Sequence, residues 1–238
     1  MPRANRFFLA DTVWHITHRC HNRAFLLKFE KDRQRWKYWL FQAKKRYGLT
    51  FLNYIATSNH VHLLVLATNC HSVSRGLQLI AGRTAQEYNQ RKRRKGAFWE
   101  DRFFATAICT DEHLARCLVY IDLNMVRAGA VAHPSRWEVS GYNEIQNPPQ
   151  RYRIIDQAAL CQLFNYSSWN DFTIQHERWV KSCLENNEIQ RDAIWTSPIA
   201  VGPESFVSGI KTRLCSKAYH RGEERHSHGT YMLKDANA

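Results

Sequence analysis

The stretch Ser58-Asn59-His60-Val61-His62-Leu63-Leu64-Val65-Leu66 decides how the chain is read. Apolar and β-branched residues fill it, and turn-forming residues bound it, so it reads as a strand. Side chains alternate along a strand, which puts His60 and His62 on one face, with Leu64 and Leu66 continuing that face into a core. Val61, Leu63 and Val65 fill the other face. A strand apolar on both sides belongs in the middle of its sheet. Two imidazoles side by side at its mouth have the makings of a metal pair, since imidazole is the commonest protein metal ligand. An H-x-H alone is a weak signal, also met by histidines that only hydrogen-bond.

Working outward, Thr12 to Arg19 alternates and reads as the first strand, with Trp14 and Ile16 on one face and His15, Thr17 and Arg19 on the other. Lys31 to Tyr47 carries Trp36, Leu40, Ala43 and Tyr47 at helical spacing and stops at Gly48. Thr50 to Thr57 is a second strand, expected to pair antiparallel with the His-bearing one. A second helix runs from His71 to about Arg94 and ends in the basic run Arg91-Lys92-Arg93-Arg94-Lys95. Ala97 to Ile108 begins irregularly and finishes as a strand. A third helix is predicted over Asp111 to Ala128, capped by Thr110 and Asp111 and closed by Gly129. This order gives an α+β fold: a four-stranded antiparallel sheet of the split βαβ (ferredoxin/RRM-like) type with flanking helices, plus one added helix. The pattern breaks near Asn147-Pro148-Pro149, so the expected domains are 1–147 and a C-terminal extension, 148–238. The extension reads as mostly helical to about Arg191, then polar, His-rich (His220, His226, His228) and partly mobile.

The 238 residues carry a formal charge of +13 and a pI near 9.6. A chain this basic points to an anionic polymer, nucleic acid first. The seven cysteines contain no C-x-x-C pair, which favours reduced thiols over a disulfide frame or zinc knuckle. No apolar run reaches the length of a membrane span, and the N-terminus lacks a signal-peptide core. The expected location is cytoplasmic, with the nucleoid.

On a helical wheel at about 100° per residue, Leu114, Leu118, Ile121 and Met125 form an apolar stripe. His113, Arg116, Tyr120, Asn124 and Arg127 form a second, narrow stripe. Tyr120 and Asn124, four apart, stand one above the other. A divalent ion on His60 and His62 would polarise a phosphodiester for attack by the Tyr120 hydroxyl, a weak nucleophile unaided. Asn124 offers an amide oxygen as third ligand, and Arg19, Arg116 and Arg127 can hold phosphate oxygens.

His60-Val61-His62 in a central strand, followed by Tyr120-Ile121-Asp122-Leu123-Asn124-Met125-Val126-Arg127-Ala128-Gly129, resembles the HUH nucleases. In particular it resembles the single-tyrosine transposases associated with bacterial repetitive extragenic palindromes (REP). Their tyrosine helix reads Y-I-x-x-N-P-V-[RK]-x-G; Met125 stands here in place of the proline, which removes no ligand. The likeness spans about residues 1–145. It includes Pro2-Arg3 and Arg6, Arg19 with Asn22-Arg23, Phe98-Trp99-Glu100-Asp101-Arg102-Phe103, and Trp137 with Tyr142. It implies Tyr120 as nucleophile, and His60, His62 and Asn124 as ligands of Mg²⁺ or Mn²⁺. The implied product is a 5′-phosphotyrosine beside a free 3′-hydroxyl on single-stranded DNA next to a hairpin. The basic arm and Arg91–Lys95 would grip that hairpin. Trp99 and Arg102 are candidates for contact with unpaired bases, whereas Phe103 and Phe104 read as core. The rival is a non-catalytic nucleic-acid-binding module on an RRM-like sheet. A metal hydrolase using water ranks below it, since no carboxylate near the motifs is an obvious base. Whether the chain works as a monomer or a homodimer is left open.

Overall fold

The structure, a computed structural model, describes residues 8–218, 220–226 and 229–235. Thr12–Arg19 (β1), Thr50–Ala56 (β2), His60–Ala67 (β3) and Phe104–Ile108 (β4) form an antiparallel set in the order β2-β3-β1-β4. The two central strands are therefore β1 and β3, and the His-bearing strand sits where its two apolar faces require. Glu30–Tyr47 (α1) and Cys70–Arg91 (α2) pack together on one face. Gly48, at φ 63°, ends α1 in the left-handed conformation that favours glycine. Asn69 caps α2 by accepting from the N–H groups of His71 and Ser72.

Three strands extend this sheet beyond the four expected. Ala200–Gly202 (β5) joins β4 in parallel, and the hairpin of Arg221–Arg225 (β6) and Tyr231–Asp235 (β7) completes the order β2-β3-β1-β4-β5-β7-β6. The short, apolar Ala200-Val201 step covers the edge that β4 would otherwise expose. The opposite edge, β2, is covered by the chain from Val139 to Asp156: the Ala56 N–H donates to Val139 O and the Asp156 N–H to Phe51 O. Glu144 pins this edge, accepting from Tyr54 Oη and from the N–H groups of Ile154 and Ile155.

The predicted third helix is two helices. Glu112–Asp122 (α3) ends at Leu123, whose ψ of 5° breaks the ladder, and Asn124–Arg127 (α4) follows. The carbonyl of Tyr120, freed at the break, accepts from Arg127 Nη2 at 3.1 Å. Gly129, at φ 67°, ends the run. Gly141–Gln146 (α5), Gln157–Leu163 (α6), Trp169–Glu185 (α7) and Glu204–Leu214 (α8) complete the helices. The helical stretch read from 151 to 191 is thus α6 and α7, separated at Ser168, whose hydroxyl caps α7. A buried network ties α3 to α7. Asp122 accepts from Asn53 Nδ2 at 2.9 Å and from His176 Nε2 at 2.8 Å, while the Gln146 amide donates to His176 Nδ1 at 2.9 Å.

Candidate active site

The site lies on the sheet face turned away from α1 and α2. Ile16, Val61 and Leu63 pack under those helices with Trp36, Leu77 and Ile80. Alternation therefore sends His15, Thr17, His60 and His62 the other way, toward α3. β1 and β3 pair with Thr17 opposite His62 and Arg19 opposite His60. The Tyr120 ring stands edge-on to two imidazoles, with centroids 6.2 Å from His62 and 6.2 Å from His15. It is 8% exposed. Asn124, first residue of α4, brings Nδ2 to 2.9 Å from His62 Nε2. The Arg127 guanidinium lies 4.2 Å over the Tyr120 ring. Tyr120, His60, His62, Asn124 and Arg127 line one cleft of about 760 Å³, together with Arg19, Arg23, Arg102 and Arg191. Glu100 and Asp101 line its rim as well.

Hydrogen-bond direction fixes the tautomers. Asn59 Nδ2 donates to Arg23 O, so its Oδ1 faces His60 Nδ1 at 2.7 Å and must accept from it. His60 then carries its lone pair on Nε2. His62 Nδ1 meets His15 Nε2 at 2.8 Å, and His15 Nδ1 meets Trp195 O at 2.7 Å. A carbonyl only accepts, so the proton order along that chain leaves His62 Nε2 as a lone pair also.

All three imidazoles are held neutral. Burial lowers His15 to about 4. Burial, then the charges of Arg19, Arg191 and Arg127, lowers His60 to about 4. Burial, then His60, His15, Arg127 and Arg19, puts His62 well below its usual value. Burial raises the Tyr120 hydroxyl above its usual range, with Arg127 and Arg191 pulling the other way.

Among the described residues no group of three or more His, Cys, Asp or Glu gathers as a metal site. The candidate set is instead two unprotonated imidazole nitrogens and the Asn124 amide, all uncharged. That donor set would suit a divalent ion that accepts imidazole and oxygen donors, such as Mg²⁺ or Mn²⁺.

The other sequence candidates scatter. Arg3 and Arg6 lie outside the described residues. Arg91 is paired with Asp32, Lys92 Nζ lies 5.3 Å over the Phe29 ring, and Arg94 donates to Ala97 O at 2.8 Å. Arg93 adopts φ 48°, so the run turns out of the helix instead of extending it. None of the four lines the cleft. Trp99 stacks on His18, 4.1 Å between centroids, and donates to Ala81 O. Arg116 lies 5.7 Å over the Trp195 ring, in a second cleft that Tyr120 and Arg127 also line, and it does not reach the cleft of the histidines. Sequence reading missed His15, Trp195 and Arg191. Alternation grouped His15 with Thr17 and Arg19 on one face of β1, but nothing in residues 189–199 marks them as belonging here.

Residues 9–124 match the family described as IS200-like transposases. A solved structure, the REP-associated tyrosine transposase bound to a REP hairpin, superposes with a TM-score of 0.51 at 18% identity, over 66% of this chain and 94% of that one. At that identity the likeness establishes a shared fold. No curated protein matches the sequence. The residues that match the IS200-like transposase family, 9–124, span the two histidines, the tyrosine and the asparagine.

Proposed function

We propose that this protein is a metal-dependent single-strand DNA endonuclease and strand transferase that works through a covalent 5′-phosphotyrosine beside a palindromic hairpin. One observation carries the reading: the Tyr120 ring stands 6.2 Å from that of His62, in the cleft that also holds His60 and Asn124. The hairpin is taken from the structural relative, which is bound to one.

Arg19, Arg102, Arg127 and Arg191 would hold the phosphate and its neighbours, orienting phosphorus toward the Tyr120 oxygen. His60 and His62 through Nε2, with the Asn124 amide oxygen, would hold Mg²⁺ or Mn²⁺. When bound, that ion draws charge from the phosphodiester and from the leaving oxygen. The tyrosine oxygen would form a bond to phosphorus as its O–H bond breaks, the bond from phosphorus to the 3′ oxygen would break, and the proton from tyrosine would end on that oxygen as a 3′-hydroxyl. The phosphodiester energy stays in the tyrosine link, so reversal rejoins strands without ATP. Residues 1–147 are read as the nuclease unit and 148–238 as its extension.

Labelled hairpin oligonucleotide run with the protein on a denaturing gel tests this. Wild type should give a shifted covalent band with Mg²⁺ or Mn²⁺. Tyr120→Phe should give none while binding the hairpin almost unchanged. An adduct from the Phe variant would move the nucleophile elsewhere, and no adduct from wild type would leave the binding-module reading.

A further inference from the structure

We propose that His15 is a positioning residue for His62, held in place by the backbone carbonyl of Trp195 from the C-terminal segment. The inference rests on reading His62 as a metal ligand. His15 is fully buried, 0% exposed, in the middle of β1. It stands opposite Leu64, diagonal to His62 across the strand pair. The two imidazole planes lie within 10° with centroids 5.0 Å apart. With 2.8 Å between His15 Nε2 and His62 Nδ1, this is an end-to-end hydrogen-bonded pair and not a face-to-face stack.

The far end of the relay decides its direction. Trp195 O sits 2.7 Å from His15 Nδ1 and can only accept, so Nδ1 carries the His15 proton. A neutral ring has one proton, so Nε2 must accept from His62 Nδ1. His62 is thereby left with its lone pair on Nε2, the nitrogen that faces Asn124. An unsupported imidazole is free to put its proton on Nε2 and lose ligand capacity. Outer-shell partners of this kind fix both the tautomer and the ring orientation of a ligand.

The carbonyl itself is pinned. On one side Ile189 O accepts from Arg127 Nε at 2.8 Å. On the other Pro198 O accepts from Thr106 Oγ1 at 2.7 Å, and Ile199 O accepts from the Ala107 N–H at 2.7 Å. The Trp195 side chain is buried, 3% exposed. A segment more than a hundred residues downstream of His62 thus sets which nitrogen His62 presents.

The test uses the full chain, with long-range ¹H–¹⁵N NMR of the imidazoles and titration with Mn²⁺ alone followed by electron paramagnetic resonance. Wild-type His62 should carry its proton on Nδ1. His15→Leu should move that proton toward Nε2 and weaken Mn²⁺ binding by about 10–100-fold. His15→Gln, whose amide offers a donor to Trp195 O and an acceptor to His62, should recover most of both. A wild-type His62 protonated on Nε2 overturns the proposal, and that measurement needs no variant. So does a folded His15→Leu that keeps the tautomer and the Mn²⁺ affinity. Failure of the metal reading is separate: wild type would then bind no Mn²⁺, while the His62 tautomer would still shift between wild type and His15→Leu.

Discussion

The histidines of the cleft are bases that the fold keeps from being charged, and this has a price in acid. His15, His18 and His60 are each lowered to about 4, chiefly by burial, and burial also holds His62 well below its usual value. The unfolded chain takes up these protons near pH 6.5 while the native chain does not. Their stabilisation is therefore full above about pH 6.5 and lost progressively as pH falls toward about 4. Each such group contributes a slope of about 1.4 kcal/mol per pH unit in that window. Urea titrations at several pH values should show this loss, and His15→Gln should flatten the slope by about one group's share. On the proposed reading, the same neutrality at neutral pH would leave Nε2 of His60 and His62 free to hold a metal ion. His60→Ala and His62→Ala should each remove metal-dependent cleavage, read as loss of the covalent band at saturating Mg²⁺. Full cutting by either variant would take the imidazoles out of the chemistry.

At the level of elements, the break at Leu123 matters more than the wheel that overlooked it. Arg127 spans the break, donating Nη2 to Tyr120 O and Nε to Ile189 O while its guanidinium covers the tyrosine ring. A lysine has one nitrogen for these tasks. Arg127→Lys should cost about 1–3 kcal/mol of stability by chemical denaturation and slow adduct formation at unchanged hairpin affinity. The other element-scale device is the buried Asp122–His176 contact, which fastens α7 to the helix carrying Tyr120. His176→Leu leaves the Asp122 carboxyl with Asn53 as its remaining side-chain partner, and a loss of about 3–5 kcal/mol is expected from thermal and urea unfolding. An effect within experimental error would mean that α7 is held by its apolar face alone.

Across the whole molecule, the proposed function would have net charge govern encounter with DNA and the cleft govern chemistry. The formal charge is +13, and the cleft gathers Arg19, Arg23, Arg102, Arg127 and Arg191 around an uncharged ligand set. A divalent ion is poorly served by such surroundings until a DNA phosphate brings negative charge, so Mn²⁺ should bind more tightly to the hairpin complex than to free protein. Calorimetry of both measures this directly. Hairpin affinity should fall steeply with salt, and Arg19→Ala or Arg102→Ala should each reduce the slope of log K against log salt by about 1. A slope that neither substitution changes would put the phosphates somewhere other than this cleft.

Local sequence was enough for the elements that answer to local rules. Alternation across His60-Val61-His62 put both imidazoles on one face of a central strand, and the order of strands and helices gave the antiparallel arrangement of β1 to β4. The spacing of Tyr120 and Asn124 brought them to that face even though the helix between them is interrupted, because only Leu123 leaves it, at φ −79° and ψ 5°. What sequence could not reach was contact between segments far apart in the chain. Neither the β5–β7–β6 extension of the sheet nor the carbonyl of Trp195 against His15 has a periodicity or motif. The last depends on a backbone oxygen, which every residue possesses and which no choice of side chain advertises. Only the tertiary packing of residues 189–199 onto β1 and β4 decides which oxygen arrives there.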